Sequence, residues 1–339
     1  MRRLLVVLCS LVVVVVAVLA GMIAFGTSNP PPPLASVGQT FEKVVFRDLP
    51  AVETVPARQG TPIAFRRYPA DPRANAPERI VIAIHGSSAT SASMHPLAKA
   101  LRTMGMTVYA PDIRGHGETG RRGDIDYAGQ LDDDLADVVA AVRARHPNAP
   151  LNLVGFSSGG GFALHVAGSL LGAAFERIVL ISPMLGPRTP TVRTGGAGGW
   201  AKAFLPRIYA LVLLDRLGIH QFDYLPTLAF AIPPQRADLL TGTYSFRLMS
   251  AFATRDYAAD LRAARARLAV LVGERDELFI ADRFAPTIAV VRPDVRVTVY
   301  PGLNHVEMIL DPGAQLAVAV EILRVSCPNV GGCDERELR

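Results

Sequence analysis

Short runs of apolar and β-branched residues alternate along most of the chain with longer stretches in which apolar positions recur at helical spacing. A continuous β-branched run such as Arg79–Ile84 is typical of a strand that is covered on both faces of a sheet. Strands alternating with helices predict a mostly parallel, eight-stranded sheet with helices on both faces, opened by a hairpin. The predicted strands are 41–46, 63–68, 79–84, 107–110, 151–156, 177–181, 268–272 and 295–300, and the predicted helices are 91–104, 127–146, 160–171, 281–291 and 314–325.

One long segment, residues 184–267, interrupts this alternation. It contains the glycine-rich piece 195–199 and apolar, helix-like stretches such as 203–214, but no strand pattern. Insertions near the catalytic edge of a sheet commonly form lids. We therefore predict a helical cap that contacts substrate, inserted into a core made of residues 37–183 and 268–339. A segment that only covers the sheet edge is the alternative.

The chain begins with Arg2 and Arg3, followed by the 22 uncharged and mostly apolar residues 4–25. A helix of this length spans roughly 30 Å, the thickness of the hydrocarbon core of a bilayer. The segment is predicted to be a membrane anchor, or a signal peptide cleaved near Ala20. In either case the arginines keep the N-terminus in the cytoplasm. The rest of the chain is then extracytoplasmic, either membrane-anchored or secreted.

A run of four prolines, Pro30 to Pro33, follows the apolar span. Such a run is an extended, stiff spacer that cannot join a packed core. Residues 1–36 are therefore predicted to be an anchor or signal segment with a linker, and the globular domain is expected to begin near residue 37.

Composition and charge exclude several classes of function. The net charge of +5 over 339 residues is small, and the basic residues form no run interleaved with aromatic residues, so a nucleic-acid partner is not expected. The three cysteines, Cys9, Cys327 and Cys333, lack histidines at zinc-ligand spacing, so no metal is predicted. Cys327 and Cys333 flank a short loop and are predicted to form a disulfide if the domain is exported; two free surface thiols are the alternative.

The strongest chemical signal is the pentapeptide Gly155-Phe156-Ser157-Ser158-Gly159, between the strand 151–156 and a predicted helix. A serine at a tight strand-to-helix turn exposes its hydroxyl for nucleophilic attack, and the glycines are needed because a Cβ there would collide with the neighbouring strand or helix. The N-terminus of the helix directs N–H groups and a positive dipole end at the same point. Ser157 is therefore the predicted nucleophile.

A serine hydroxyl needs a general base, and the base needs an acid that orients it. Both types of residue follow Ser157 where predicted strands end. Asp276 comes after the strand 268–272, and His305 comes after the strand 295–300. Catalytic groups collect at the carboxyl ends of parallel strands. Asp276 is therefore the predicted acid and His305 the predicted base.

Other titratable residues are weaker candidates. Glu274 and Glu277 flank Asp276 but resemble solvated loop charges. His116 also lies at a predicted strand end and is the main rival base, but it precedes the serine, which is the wrong order for an elbow of this kind. His85 is expected to be a structural hydrogen-bonding residue.

An oxyanion formed by attack on a carbonyl needs fixed donors, and losing one costs on the order of 3 kcal/mol in the transition state. One predicted donor is the N–H of Ser158, the residue after the nucleophile. The other is expected from the loop after the third strand, where Ser87 is the predicted donor and Ser88 the alternative.

Five motifs in this order resemble the α/β-hydrolase superfamily, over roughly residues 40–325. Within it the chain is most similar to the branch of monoacylglycerol lipases, lysophospholipases and serine aminopeptidases, although that branch often carries methionine where this chain has Ser158. The resemblance implies an α/β-hydrolase fold with a lid inserted after the sixth strand, and no cofactor. The motifs are His85-Gly86, Asp112-x-Arg114-Gly115-His116-Gly117, Gly155-x-Ser157-x-Gly159, Gly273-x-x-Asp276 and Gly302-x-x-His305.

These features predict a serine esterase or lipase that cleaves carboxylic acyl esters through an acyl-enzyme. The apolar cap and the membrane segment favour a lipid-derived substrate, such as a monoacylglycerol or a lysophospholipid. An aminopeptidase-like peptidase and a catalytically inactive, membrane-tethered binding protein are the alternatives. Dehalogenase and epoxide hydrolase chemistry is disfavoured because it needs a carboxylate where this chain has Ser157.

Overall fold

A computed structural model describes residues 1–26, 29–42 and 44–324 of the chain. Cys327 and Cys333 lie outside these residues, so their disulfide stays a prediction. Cys9 lies on the surface of the first helix.

A large central sheet organises the molecule, and its strand order is β1-β2-β4-β3-β5-β6-β10-β11. Strand β2 pairs antiparallel with β1 and β4, and the other neighbours in this sheet are parallel. The prediction of a mostly parallel, eight-stranded sheet is confirmed. The strands of the described residues are β1 (Val52–Val55), β2 (Ile63–Tyr68), β3 (Arg79–Ile84), β4 (Met106–Pro111), β5 (Leu151–Phe156), β6 (Arg177–Ile181), β7 (Ala201–Ala203), β8 (Pro226–Phe230), β9 (Thr243–Ser245), β10 (Arg267–Gly273) and β11 (Arg296–Tyr300).

Helices cover both faces of the central sheet. The α-helices of the described residues are α1 (Arg2–Phe25), α2 (Ala35–Glu42), α3 (His95–Thr103), α4 (Gln130–Arg145), α5 (Ser158–Gly168), α6 (Thr194–Ala197), α7 (Leu205–Arg216), α8 (Phe246–Ala251), α9 (Tyr257–Ala263), α10 (Phe284–Ala289), α11 (Glu307–Leu310) and α12 (Pro312–Leu323).

Alternate residues of the buried strands point to opposite faces of the sheet, as the period of a strand requires. In β3, Ile80 and Ile82 join an apolar cluster with residues of α4, α5 and α10. Their neighbours Val81 and Ala83 join a second cluster with residues of α3 and α12. Burial on both faces explains why this strand is a continuous apolar run.

The predicted strand at residues 41–46 is wrong. Phe41 lies in helix α2, and the strand that pairs with β2 is β1 (Val52–Val55), with Val52 opposite Arg66. Short apolar runs fit both periods. Here Val37 and Phe41, four residues apart, occupy one face of a helix.

The segment between β6 and β10, residues 182–266, is called the inserted segment below. The prediction that it holds no strands is also wrong, because β7, β8 and β9 form a small antiparallel sheet within it. Strands of three to five residues are too short to show a clear alternation, and β7 and β8 contain alanines, which have a low strand propensity. Helices α6 to α9 lie in the same segment.

Helix α1 is long and apolar enough to cross a membrane, with a mean hydropathy of 3.2 over its most apolar window. Its last turn contacts α7, where the guanidinium Nε of Arg207 donates a hydrogen bond to the carbonyl of Ile23 at 2.8 Å. Ile23 also packs beside Leu211 and Leu214 of α7.

Candidate active site

Ser157 lies in the turn between β5 and α5, with the backbone in a strained conformation of φ 57° and ψ −119°. The two flanking glycines are required by close packing. A Cβ on Gly155 would lie 2.3 Å from the carbonyl oxygen of Gly159, and a Cβ on Gly159 would lie 2.3 Å from that of His85. The turn therefore has the geometry expected of a nucleophile elbow.

Asp276 and His305 lie in the loops after β10 and β11, and the structure brings them together. The Oδ2 atom of Asp276 accepts a hydrogen bond from Nδ1 of His305 at 2.8 Å. Its Oδ1 atom accepts the N–H groups of Leu278 and Phe279, both at 2.9 Å. Because Nδ1 holds the proton shared with Asp276, Nε2 is the ring nitrogen that remains for proton transfer.

Asp276 is fully buried. Burial alone would raise the pKa of its carboxyl, but the charge and the hydrogen bond of His305, with the N–H of Phe279, outweigh it and hold this pKa below the usual value. The carboxylate is therefore ionised at neutral pH, which fixes the tautomer and the orientation of the imidazole.

The imidazole of His305 also lies beside the last residue of β5, the strand that leads to Ser157. Its ring centroid is 4.8 Å from that of Phe156, the residue before Ser157, and 5.3 Å from that of Phe279. Ser157 and His305 line the same cavity. All seven histidines lie in the described residues, and His305 is the one among them that lines this cavity.

The flanking glutamates support the loop of His305. The carboxylate of Glu277 accepts the backbone N–H of His305 at 3.0 Å, and that of Glu274 accepts the N–H of Gly302 at 2.8 Å. Glu274 is exposed as expected, but Glu277 is half-buried, so its prediction as a solvated charge is wrong. No local sequence pattern distinguishes the two.

The loop after β3 lies directly against the serine. A Cβ on Gly86 would lie 3.1 Å from Cβ of Ser157. The next residue, Ser87, lines the cavity with Ser157, and its hydroxyl accepts a hydrogen bond from the indole of Trp200 at 2.9 Å. Among the described residues, no protein acceptor is found for the N–H groups of Ser87 and Ser158.

Ser88, the alternative donor, is already engaged. Its N–H donates to the hydroxyl of Tyr244 at 2.8 Å, its hydroxyl donates to the carbonyl of Thr241, and its carbonyl accepts the N–H of Thr241. Its backbone has a φ of 66°, a conformation that these contacts with the inserted segment stabilise. The geometry therefore favours Ser87 over Ser88 as an oxyanion donor.

The rival base His116 has a structural environment. It is buried, and its Nε2 accepts a hydrogen bond from the hydroxyl of Tyr244 at 2.5 Å while its Nδ1 donates to the carbonyl of Ile113 at 3.1 Å. Burial, and next to it the neighbouring His85, hold the pKa of His116 well below its usual value. A neutral imidazole with both nitrogens engaged has no free site for a substrate proton.

His85 has the structural role that the sequence predicts. Its Nδ1 donates to the carbonyl of Gly86 at 2.8 Å, and its Nε2 accepts the N–H of Ile113 at 3.1 Å. Burial lowers its pKa, so this imidazole is neutral and links the loop after β3 to the loop after β4.

The cavity has a volume of about 440 Å³, within the usual range for small-molecule sites. Three parts of the chain form most of its walls: the loops at the carboxyl edge of the central sheet, the inserted segment, and residues 37–42 with 44–49. Sequence reasoning missed the last of these, because that stretch carries no motif. Representative residues of the three parts are Ser87, Ser157, His305, Trp200, Ala231, Leu239, Leu240, Val37, Phe41 and Leu49.

Side chains with metal-ligating atoms within 4.8 Å of one another occur, in the described residues, at Asp215, His220 and Asp223. None of them lines the cavity. Nδ1 of His220 lies 3.3 Å from a carboxylate oxygen of Asp215 and 3.1 Å from one of Asp223, so the contacts among these three side chains account for the cluster beyond the end of α7.

Comparisons with known proteins show what the chain is similar to. The sequence profile of the family described as "Serine aminopeptidase, S33" matches residues 75–312. The monoacylglycerol lipase of Mycolicibacterium smegmatis is 25% identical over 266 residues, which cover 71% of this chain and 86% of that protein. The monoglyceride lipase of Rattus norvegicus is 27% identical over 155 residues, covering 45% of this chain and 49% of the relative.

Among solved structures, a soluble variant of the monoglyceride lipase of Saccharomyces cerevisiae, in complex with a substrate analog, has the same fold. It superposes with a TM-score of 0.61 at 16% identity and covers 82% of this chain and 95% of its own. Because the family profile matches well over half of the sequence, the chain belongs to the serine aminopeptidase S33 family of α/β-hydrolases.

Proposed function

We propose that this chain is a serine hydrolase that cleaves carboxylic acyl esters. The observation that carries the proposal is the convergence of Ser157, His305 and the loop of Ser87 on one cavity, with Asp276 bonded to His305 at 2.8 Å. A buried, strained serine that shares a cavity with an oriented imidazole is the arrangement that acyl transfer needs.

In the proposed mechanism the hydroxyl of Ser157 attacks the ester carbonyl and passes its proton to Nε2 of His305. Asp276 stabilises the imidazolium that forms. The N–H groups of Ser87 and Ser158 stabilise the oxyanion of the tetrahedral intermediate. His305 returns the proton to the leaving alcohol. In the second half of the reaction water attacks the acyl-enzyme, His305 takes the proton of that water, and the proton then passes to the oxygen of Ser157 as the acid is released.

A lipid-derived ester is the favoured substrate. Apolar side chains such as Phe41, Phe46, Leu239 and Leu240 form much of the cavity wall and suit an acyl chain. Relatives named monoacylglycerol lipase and monoglyceride lipase point the same way. We infer that a monoacylglycerol or a lysophospholipid is cleaved.

The family name suggests a second candidate, an aminopeptidase. Such an enzyme needs acidic groups to hold the substrate ammonium, and the cavity offers few. Three arginines line it, Arg66, Arg122 and Arg236, against two acidic residues, Asp112 and Glu118. Asp112 already accepts the N–H groups of Ser91 and Glu118. This charge balance favours ester cleavage over peptide cleavage.

We further propose that α1 attaches the enzyme to a membrane, with the domain on the extracytoplasmic side, or exports it as a signal peptide. Residues 1–36 would then be the anchor and linker, and residues 184–267 a cap on the core. An apolar surface on the cap supports attachment: along α7, beside the last turn of α1, the exposed residues Leu205, Tyr209, Leu213 and Leu217 follow one another at four-residue spacing.

A substrate panel tests the function. Purified wild type and Ser157→Ala are compared on monoacylglycerols, lysophospholipids, p-nitrophenyl esters and aminoacyl-arylamides. We expect ester hydrolysis by the wild type alone and no cleavage of arylamides. Arylamide cleavage would establish the peptidase instead, and inactivity of the wild type on the whole panel would indicate a binding protein with a hydrolase fold.

A further inference from the structure

The stretch between the proline run and β1 reaches into the cavity of Ser157. We call its described residues, 34–42 and 44–49, the strap. Val37, Gly38 and Phe41 of α2, together with Phe46 and Leu49, line this cavity. The strap lies outside the part of the sequence that matches the family profile, which begins at residue 75. The family profile therefore does not describe its contribution to the site.

The strap is attached at both ends. At its first end the N–H of Leu34 donates to the carbonyl of Ala231 in the inserted segment at 3.3 Å. At its second end the carboxylate of Asp48 pairs with Nζ of Lys99 and with Nε2 of His95, both in α3. The hydrogen bonds from Lys99 and His95 lower the pKa of Asp48 to about 2, so this attachment keeps its charge at physiological pH.

Helix α2 crosses the space between these attachments with one face toward the core. Val37 and Phe41 are half-buried, whereas Ala35 and Gln39 on the other side are exposed. A Cβ on Gly38 would lie 3.7 Å from the ring of Pro233, so the helix packs closely on the inserted segment. Phe41 also packs against the apolar cluster that contains Phe156, the neighbour of Ser157.

We propose that Val37 and Phe41 are specificity-determining residues that set the length of acyl chain the cavity accepts. The inference rests on the proposed esterase function and deepens it. Because both side chains are apolar, half-buried and part of the cavity wall, their size decides how much room an acyl chain has. Each buried methylene changes kcat/KM by a factor of about four, so a small change in depth alters the preferred chain length.

The test uses the full-length chain in detergent and p-nitrophenyl esters of increasing acyl length. Phe41→Ala deepens the cavity and is expected to move the preferred length up by about two carbons, changing the ratio of long-chain to short-chain kcat/KM roughly fifteen-fold. Val37→Phe fills the cavity and is expected to shift the preference toward shorter chains. Gln39→Ala and Val45→Ala, whose side chains do not line the cavity, are matched controls that keep the wild-type profile.

An unchanged chain-length profile in both Phe41→Ala and Val37→Phe would overturn the proposal, and so would an equal shift in the two controls. If Phe41→Ala fails to fold, the chain-length profile of Val37→Phe alone tests the proposal, because this substitution removes no core contact. Ser157→Ala in the same assay distinguishes a failure of the proposed esterase mechanism from a failure of the proposed role of the strap. If it remains active, the esterase mechanism is wrong, whereas an inactive Ser157→Ala with unshifted strap variants refutes only the role of the strap.

Discussion

The hydroxyl of Tyr244 accepts the backbone N–H of Ser88 at 2.8 Å and donates to Nε2 of His116 at 2.5 Å. Tyr244 belongs to β9 in the inserted segment, 156 residues from Ser88 in sequence. This contact ties the segment to the loop that carries Ser87, the proposed oxyanion donor. The inserted segment therefore forms part of the framework that positions the proposed catalytic groups.

The first prediction concerns Tyr244→Phe. Without its hydroxyl, the buried N–H of Ser88 loses its acceptor, which costs about 1–3 kcal/mol of stability. The loop of Ser87 then shifts away from the oxyanion position, so we expect kcat to fall roughly 10- to 100-fold with little change in KM. Steady-state kinetics and thermal unfolding measure the two effects.

The matched control is Tyr209→Phe, because Tyr209 is exposed on α7 and does not line the cavity. Its kinetics should equal those of the wild type. A Tyr244→Phe enzyme with unchanged kcat would show that the inserted segment does not position the loop.

The second prediction concerns Gly159→Ala. A Cβ at this position would lie 2.3 Å from the carbonyl oxygen of His85 and 2.7 Å from that of Ile84, and backbone atoms cannot move away without distorting β3. We expect a destabilisation of about 3 kcal/mol or more, at or above the usual range for overpacking, and loss of activity. Chemical denaturation measures the change in the free energy of unfolding.

Gly242→Ala is the control for this substitution. The nearest atom to its added Cβ would be Cδ1 of Ile232 at 3.5 Å, an ordinary contact. Its stability should stay within about 1 kcal/mol of the wild type. Equal stabilities of the two variants would contradict the close packing of the elbow.

The sequence places Ser157 and its proposed partners at strand ends, as the structure does, because each of these residues follows a strand whose pattern is strong. Ser157, Asp276 and His305 are all recognisable from a short local motif at a strand end. Tyr244 and Trp200 could not be found in this way, since each contacts the oxyanion loop across more than a hundred residues of sequence.

The errors have a similar origin. Short apolar runs such as 41–46 satisfy both helical and strand periods, and only packing against the cavity decides between them. Strands β7, β8 and β9 hold three to five residues each and are stabilised by pairing with one another, which no local pattern reveals.

The third prediction is a pH dependence of stability that arises at His165. This imidazole, on α5, faces Asp132 at 3.2 Å and Asp260 at 3.8 Å, and hydrogen bonds to these two carboxylates raise its pKa to about 9. A group with a raised pKa contributes stability that is complete below the unfolded value of about 6.5. That contribution is lost as the pH rises from about 6.5 through 9.

The measurement is the free energy of unfolding of wild type and His165→Gln between pH 6 and pH 9.5. We expect the difference between the two proteins to shrink by about 1–2 kcal/mol over this range, after allowance for solvent screening. His165→Lys keeps a positive charge, so the difference in the free energy of unfolding between His165→Lys and His165→Gln should stay constant up to pH 9. Parallel curves for wild type and His165→Gln would contradict the charged state of His165.

The central claim is that Ser157 is the nucleophile, and covalent labelling tests it most directly. A fluorophosphonate probe reacts with a serine that an adjacent base activates, and peptide mass spectrometry locates the adduct. The account predicts a single stoichiometric adduct on the peptide that contains Ser157, and no adduct on Ser157→Ala or on denatured wild type. Absence of labelling in the native enzyme, or an adduct on another residue, would contradict it.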